Sequence, residues 1–343
     1  MKPPLLARWL GGAVLAVAAL VSPLEGQDRR DEQFYYPGSF NWEFLARYPE
    51  AARLFNAFDY GHAVLYEKLL TLPGKADSAL AREYRYLTRD LLLRPPRFAI
   101  AEEAVMPSYA RRMWRAKQMF DWAHVLHRQI YDVYADDRLT MPQRDSLIER
   151  LTDYYLSRTE YSFSARPKTM ALMDDQPFSQ VFRRSHPRFN GLIWAYHWLQ
   201  VGLYEPMLAG RSAAETRAGL ETTLARFWTM VREERFPAVM PMTSAIAPEF
   251  SRRHPRAAVI FDNLHMMHDV ISDVLASPDI PLARKRDEIY RQLDEFRSDE
   301  SNVISLEDWR DMGAHMGGID AMGGAATGGA RTEAPPPPAP HQH

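Results

Sequence analysis

The stretch that decides the fold bears histidines and occurs four times along the chain in related form. Its fourth copy, residues 253–273, reads RHPRAAVIFDNLHMMHDVISD, and its third copy, residues 185–205, reads SHPRFNGLIWAYHWLQVGLYE. The second copy, residues 112–132, reads RMWRAKQMFDWAHVLHRQIYD, and the first, residues 47–67, reads RYPEAARLFNAFDYGHAVLYE. The four copies align without a gap, which indicates an internal repeat.

Two columns of this alignment, three residues apart, hold side chains that can bind a metal. The first column holds Asp59, His124, His197 and His265, and the second holds His62, His127, Gln200 and His268. Residues three apart lie on the same face of an α-helix. Mostly aromatic columns before and after them continue the same stripe, which is typical of a helix face that points into a core.

Polar side chains in this position favour a metal site. An unpaired polar group in a core costs roughly a few kcal/mol, whereas a metal ion takes up the lone pairs of its ligands. Neutral imidazole suits zinc, copper and iron. We therefore predict that all eight residues bind two ions, with three histidines on each ion. Copper is preferred over iron, and manganese and zinc stay open as alternatives.

The grouping of the eight residues depends on the direction of the helices. If the four helices run parallel, the two columns are the two ligand layers. If they alternate in direction, the layers become Asp59, His127, His197, His268 and His62, His124, Gln200, His265. A second register is also open, because Phe-Asp-x-x-His occurs at Phe58, Phe120 and Phe261. It would set His62 level with His124 and His265, but the gapless register also aligns the prolines near the helix starts and is preferred.

Other polar residues are interpreted without a metal-binding role. Each copy ends in an acid, which we expect to be solvated or to orient an imidazole. His186 and His254 precede proline at helix starts and are expected to cap those helices. The pair Glu102-Glu103 lies in a connection and is expected to be a solvated acid pair.

The fold class predicted by these patterns is all-α. Four apolar helices are expected near residues 47–72, 108–135, 187–207 and 255–275. Each is followed by a more polar helix, near residues 77–92, 142–158, 213–235 and 282–297. Short turns join the members of each pair, so the pairs should be antiparallel hairpins. We predict four hairpin repeats, with the four apolar helices in a central bundle and the four polar helices around it.

The two ends of the chain differ from this domain. Residues 1–26 have a basic start and an apolar run that predict a secretory signal peptide, and hence a secreted or periplasmic protein. An uncleaved anchor is the alternative. Residues 27–46 form an extension and residues 47–311 the helical domain. Residues 312–343 are rich in Gly, Pro, Met and His and are predicted to be a disordered tail.

Composition excludes several classes of function. The net charge of −2 argues against a nucleic-acid partner. The absence of cysteine excludes disulfides, thiolate zinc sites and covalently attached haem. No later segment predicts a membrane span in the mature chain. The remaining partners are metal ions and a small-molecule substrate or oxygen.

The function that fits these observations is an exported dinuclear metal protein, redox active as an oxidase or in handling oxygen. Helical sites rich in histidine resemble, in general architecture, those of dicopper oxygen-binding proteins and hemerythrins, although the spacing along this chain matches neither motif. The alternatives are a non-catalytic copper carrier or sensor, a protein binding b-type haem between two histidines, and a hydrogen-bonded network without metal.

Overall fold

The protein is all-α over residues 42–327, which are the residues that the computed structural model describes. Within this range no strand forms, and one isolated bridge joins Lys168 to Val303. The predicted fold class is confirmed. All of the described residues belong to a unit that begins at Ser39. The predicted signal peptide, most of the predicted extension and the last part of the predicted tail lie outside the described residues.

Four long helices carry the predicted ligands. They are α2 Pro49–Thr71, α6 Trp114–Ala135, α10 Pro187–Gly202 and α15 Pro255–Ala276. α10 and α15 are buried over almost their whole length, and the buried residues of α15 include several polar side chains. In the described part of the chain, none of the helices is both long enough and apolar enough to cross a membrane.

Each long helix is followed by an amphipathic helix that packs against it. These are α3 Asp77–Tyr86, α7 Met141–Leu156, α12 Ala213–Glu233 and α16 Leu282–Arg297. Their buried residues are spaced three or four apart along one face, as expected for helices at the surface of a helical core. α3 continues into a π-helical turn, Leu87–Leu91. That these four pairs are copies of one repeat stays a prediction, based on the gapless alignment of their sequences.

A short helix precedes each long helix and meets it at a sharp break in the backbone. The short helices are α1 Trp42–Arg47, α5 Pro107–Arg112, α9 Val181–Ser185 and α14 Pro248–Arg253. The residues at the breaks are Tyr48, Met113, His186 and His254, with φ between −133° and −116° and ψ between 34° and 61°. Three of them precede proline, which disfavours helical backbone at the preceding residue.

The remaining helices lie in the connections and at the C-terminal end. They are α4 Glu102–Val105, α8 Ala171–Asp174, α11 Tyr204–Ala209, α13 Thr243–Ile246, α17 Leu306–His315 and α18 Gly318–Ala321. α11 was predicted as the end of the third apolar helix, but the helix is interrupted at Leu203. α4, α8, α11 and α13 pack on the long helices, whereas α17 and α18 contact α13 and each other.

The acids that end the four sequence copies bind the N-termini of short helices. Glu67 accepts hydrogen bonds from the backbone of α5, and Asp132 accepts one from Phe44 in α1. Glu205 does the same for α14, and Asp273 does so for α9. The end of α2 therefore lies beside the start of the α5–α6 segment, and the end of α6 beside α1. The same exchange joins α10 and α15, so each pair of long helices runs in opposite directions.

These contacts correct the expectation that the four acids are solvated or orient imidazoles. A helix N-terminus has free N–H groups and a partial positive charge, and a carboxylate satisfies both. The correction also removes the layer assignment that assumed four parallel helices.

The prediction of a disordered tail from Met312 is wrong for residues 312–327. α17 extends to His315, α18 follows, and Met322 is fully buried. The carbonyl of Gly324 accepts a hydrogen bond of 2.8 Å from Trp198 Nε1, and that of Gly323 accepts one of 2.8 Å from Arg226 Nε. The glycine-rich composition suggested disorder, but here core side chains bind the backbone of this segment directly.

Candidate metal centre

The six predicted histidines form one continuous cluster in the core. His127 lies next to His265, His265 next to His197, and His197 next to His62, with ring centroids 6.0, 4.2 and 5.3 Å apart. His62 lies 4.3 Å from His268, and His268 lies 5.7 Å from His124. Five of the six are buried, and His124 is partly exposed. The helical periodicity of the sequence thus placed five of the six inside the core and His124 at its edge.

Three of these rings converge on one point, and we call them the inner histidine group: His62, His197 and His268. His62 Nε2 lies 3.2 Å from His197 Nε2, which lies 2.9 Å from His268 Nδ1. One ring nitrogen from each of the three lies within 4.8 Å of the other two. Each side chain comes from a different long helix, so the packing of α2, α10 and α15 defines the group.

Protons alone do not satisfy these contacts. His62 Nδ1 lies 3.0 Å from the Phe58 carbonyl, which can only accept, so this nitrogen carries the proton and Nε2 of neutral His62 presents a lone pair. His197 Nε2 touches both neighbours but has at most one proton to donate. One of the two nitrogen–nitrogen contacts is therefore left without a good hydrogen bond.

Burial keeps the cluster neutral. Desolvation lowers the pKa of His62 to about 3 and that of His124 to about 3. It also lowers the pKa of the other four well below the ordinary value, and neighbouring imidazoles add to the effect. Neutral imidazole is the form that coordinates a metal.

Ring nitrogens without a partner are concentrated in this cluster. Among the described histidines, buried ring nitrogens with no hydrogen-bond partner occur on His124, His127, His197, His265 and His268, and on His265 both nitrogens lack one. Outside the cluster, His254 Nε2 also lacks a hydrogen bond, but it faces the carboxylate of Asp145. A buried polar atom in this condition destabilises a fold by about 1–3 kcal/mol. These unpaired nitrogens make the cluster the candidate metal site of the described residues.

A close approach of two helices positions the inner histidine group. Gly61 in α2 faces Tyr196 in α10, and a Cβ at Gly61 would lie 2.9 Å from the Tyr196 ring. The next residue along each helix is a member of the group, His62 and His197. The missing side chain at Gly61 thus lets the two helices come close enough for their histidines to meet.

His127 and Gln200 lie beside the inner group rather than in it. His127 Nδ1 lies 2.7 Å from the Tyr204 hydroxyl, and its ring stacks on Phe261 at 3.5 Å. The Gln200 side-chain oxygen is buried without a partner, while the Gln200 backbone carbonyl accepts a hydrogen bond from Tyr131. His265 stacks on His197 and, like His127 and Gln200, lies outside the inner group.

Asp59 is placed differently from the prediction. It binds Arg128 and lies with Glu102 and His124 in what we call the outer group, whose ligand atoms are within 4.8 Å of one another. None of the four predicted layers therefore forms one group of converging ligand atoms. The second register explains the inner group better, because with helices of opposite direction it sets His62 level with His197 and His268 and moves Asp59 one turn away.

Glu102 is the residue of this region that the sequence interpretation missed. It is not simply solvated: burial raises its pKa well above the ordinary value, and the nearby Asp121 and Asp59 add to the rise. It lines a surface pocket of about 230 Å³ together with Asp59 and His124. Glu102 begins the short helix α4, in a segment that the sequence pattern predicted to be a connection without a helix.

His186 and His254 sit at helix starts, but neither side chain caps a helix. His254 is buried and lies 3.2 Å from both Asp145 and Glu149. His186 lies 3.6 Å from Asp77. The polar contacts of both histidines are with carboxylates and not with the inner histidine group.

Comparison with protein-family models, with curated proteins and with solved structures found no match to this chain. The function is therefore argued from the geometry of the cluster.

Proposed function

We propose that this is a metal-binding protein whose inner histidine group, His62, His197 and His268, binds a copper ion for a redox reaction. The observation that carries the proposal is the convergence of three neutral ring nitrogens, two pairs of them 3.2 and 2.9 Å apart. Nitrogens bound tetrahedrally to one ion at about 2.0–2.1 Å are about 3.3 Å apart. The spacing of the free ligands is already close to that value.

The donor set favours copper or zinc over manganese. All three ligands are neutral imidazoles, and no carboxylate belongs to the group, which suits copper or zinc better than the oxygen-preferring manganese. A neutral donor set in a dry core also leaves the charge of the ion uncompensated, which favours the lower oxidation state, Cu(I), over Cu(II). Zinc has no redox chemistry and is the alternative ion.

Packing argues against haem between two of these histidines. The imidazoles stack directly on one another and on aromatic side chains, as His268 does on Phe120 at 4.3 Å and His127 does on Phe261 at 3.5 Å. A planar macrocycle would have to separate these rings. A hydrogen-bonded network without metal would keep these ring contacts and is the simpler alternative. The buried ring nitrogens without a hydrogen-bond partner are evidence against that network.

A second candidate function is copper carriage or sensing without catalysis. It is favoured by the burial of the inner group. His62 is the most exposed of the three histidines, and only 6% of its surface is exposed. A closed site suits retention of an ion, whereas a catalyst needs an open coordination position. The pocket beside His124 is the feature that favours catalysis.

Metal content tests the proposal. We expect wild-type protein loaded with Cu(I) to retain one copper at the inner group, and the His197→Asn variant to lose most of it, because Asn has no atom at the position of Nε2. Elemental analysis of folded, gel-filtered protein measures the ratio. Anomalous diffraction at the copper edge gives the position.

The matched control is His254→Asn, which changes an equally buried histidine that contacts carboxylates instead of the cluster. It should retain copper. Equal copper contents in the two variants would overturn the assignment. If His197→Asn does not fold, the wild-type melting temperature decides: it should rise with added Cu(I) if the folded state binds the ion, and an unchanged value would contradict the proposal.

A further inference from the structure

The outer group lines a surface pocket, and its His124 ring lies 5.7 Å from that of His268 in the inner histidine group. The pocket is lined by Asp59, Glu102, Glu103, Lys117, Asp121, His124 and Arg128, with Ala99, Ile100 and Val125. Its loop wall is tied to α2, because Arg53 donates to the Pro95 carbonyl and Asn56 Nδ2 donates to that of Pro96 at 2.9 Å. These bonds attach to α2 the segment that leads into Ala99 and Ile100 of the pocket wall.

Charge in this pocket is unbalanced. It contains four acids and two basic residues, so full ionisation would leave an excess of two negative charges. Burial raises the pKa of Glu102, which favours its protonated, neutral form while no cation is bound. Lys117 is held by Asp121 at 2.6 Å and by Glu103 at 2.9 Å, and Arg128 is bound to Asp59. Glu102 is the acid with the weakest pairing, 3.7 Å from Lys117. One divalent cation would neutralise the excess.

The ligands for such a cation are already gathered. One oxygen each of Asp59 and Glu102 and one ring nitrogen of His124 lie within 4.8 Å of one another. Buried His124 Nε2 has no hydrogen-bond partner. A set of two carboxylates and one imidazole is of the kind that binds Mn²⁺, Fe²⁺ or Zn²⁺, and it differs from the all-imidazole inner group.

We infer that Asp59, Glu102 and His124 bind a second, divalent metal ion, of the Mn²⁺ or Fe²⁺ class, in the pocket beside the inner histidine group. The inference rests on the proposed function in treating the inner group as the first metal site. The His124 ring is 5.7 Å from that of His268 and 6.4 Å from that of His62, so the two ions would be neighbours. The outer ion faces the pocket, so water or a small oxygen-containing substrate would bind there.

Manganese is the probe that tests this site. Protein with the inner group loaded with Cu(I), which has no EPR signal, is titrated with Mn²⁺, and the EPR signal of free Mn²⁺ measures what remains unbound. We expect one Mn²⁺ per wild-type chain. Glu102→Gln should weaken its binding by at least about tenfold, since loss of a residue that only orients a metal ligand already costs about 10–100-fold in affinity.

The control is the adjacent Glu103→Gln, which removes an acid that also pairs with Lys117 but lies outside the outer group. It should bind Mn²⁺ within about twofold of wild type, and both variants should keep their copper. Equal Mn²⁺ binding by Glu102→Gln and Glu103→Gln would overturn the inference, as would loss of Mn²⁺ only in His197→Asn. If Glu102→Gln does not fold, anomalous diffraction at the manganese edge decides: a peak among the three ligands is expected, and a peak elsewhere or no peak contradicts the site.

The two proposals fail in different ways. Absence of copper from the inner group with Mn²⁺ still bound would reject the proposed function and leave the outer site. Copper at the inner group with no Mn²⁺ that depends on Glu102 would reject the outer site alone.

Discussion

At the scale of single residues, Asp262 shows how a buried acid serves the fold outside the candidate metal centre. One carboxylate oxygen accepts hydrogen bonds from the backbone and the hydroxyl of Thr243, at 2.8 and 2.6 Å. The other accepts one of 2.8 Å from Trp309 Nε1. Asp262 thereby ties α13 and α17 to the central helix α15. Burial raises its pKa to about 7, against an ordinary value of 3.8.

This shift predicts a pH-dependent stability that the Asp262→Asn variant should lack. The folded state holds the proton up to a higher pH than the unfolded state does, so the contribution is present below about pH 4 and is lost as the pH rises to about 7. The free energy of unfolding of wild type should fall relative to that of Asp262→Asn by about 1.4 kcal/mol per pH unit in this window, then stay level. Urea denaturation of both proteins measures it.

The comparison isolates Asp262, because the core histidines and the other buried acids are the same in both proteins and cancel in the difference. Parallel pH profiles of the two proteins from pH 4 to pH 8 would show that Asp262 does not titrate in this range.

At the scale of elements, the long helices are held in pairs by carboxylates bound to helix N-termini. The geometry of these links differs in a way that can be tested. Glu67 uses a single oxygen, Oε2, for the N–H groups of Ser108 and Tyr109, both at 3.0 Å. Asp273 uses both of its oxygens, one for the N–H of Gln180 and one for that of Phe182, each at 2.7 Å.

The amide variants should therefore differ in stability. Glu67→Gln keeps an oxygen for both donors and loses only the charge, so we expect a loss of about 1 kcal/mol or less. Asp273→Asn places an NH₂ group against a buried N–H, so we expect about 2–3 kcal/mol. Urea denaturation at pH 8, above the pKa of about 6 of Asp273, measures both. A larger loss in Glu67→Gln would contradict this account of the links.

At the scale of the whole molecule, residues 312–327 of the C-terminal segment pack against the helical core. Gly323 and Gly324 have φ of 99° and 84°, which glycine adopts without strain. These turns bring the backbone against Trp198 and Arg226, next to the helix that carries His197. A Cβ at Gly323 would lie 2.9 Å from Met230 and 3.1 Å from Trp198.

Gly323→Ala should therefore destabilise the protein more than Gly318→Ala does. Gly318 has a similar φ of 75° but open space around it, so its substitution adds only backbone strain, about 1–2 kcal/mol. At Gly323 the added methyl also displaces packed side chains, which adds about 1–3 kcal/mol. Thermal unfolding of the two variants measures the difference. Equal melting temperatures would indicate that this segment does not pack on Trp198.

The sequence by itself determined the helical class and the inward position of the histidines. Both follow from periodicity, a local property: side chains three and four apart share a helix face wherever the helix lies. The assignment of His62, His197 and His268 to the core needed no knowledge of which helices are neighbours. The proposed metal chemistry depends on that same pattern and stays a prediction.

Only the tertiary structure decided which of these residues meet. The position of one helix along another is set by contacts between residues far apart in sequence, such as Gly61 against Tyr196 and Glu67 against the start of α5. Those contacts joined His62 to His197 and His268 and placed Asp59 beside Arg128. They also brought Glu102 from a connecting segment to His124, because a segment without a strong periodic pattern takes its place from the surface on which it packs.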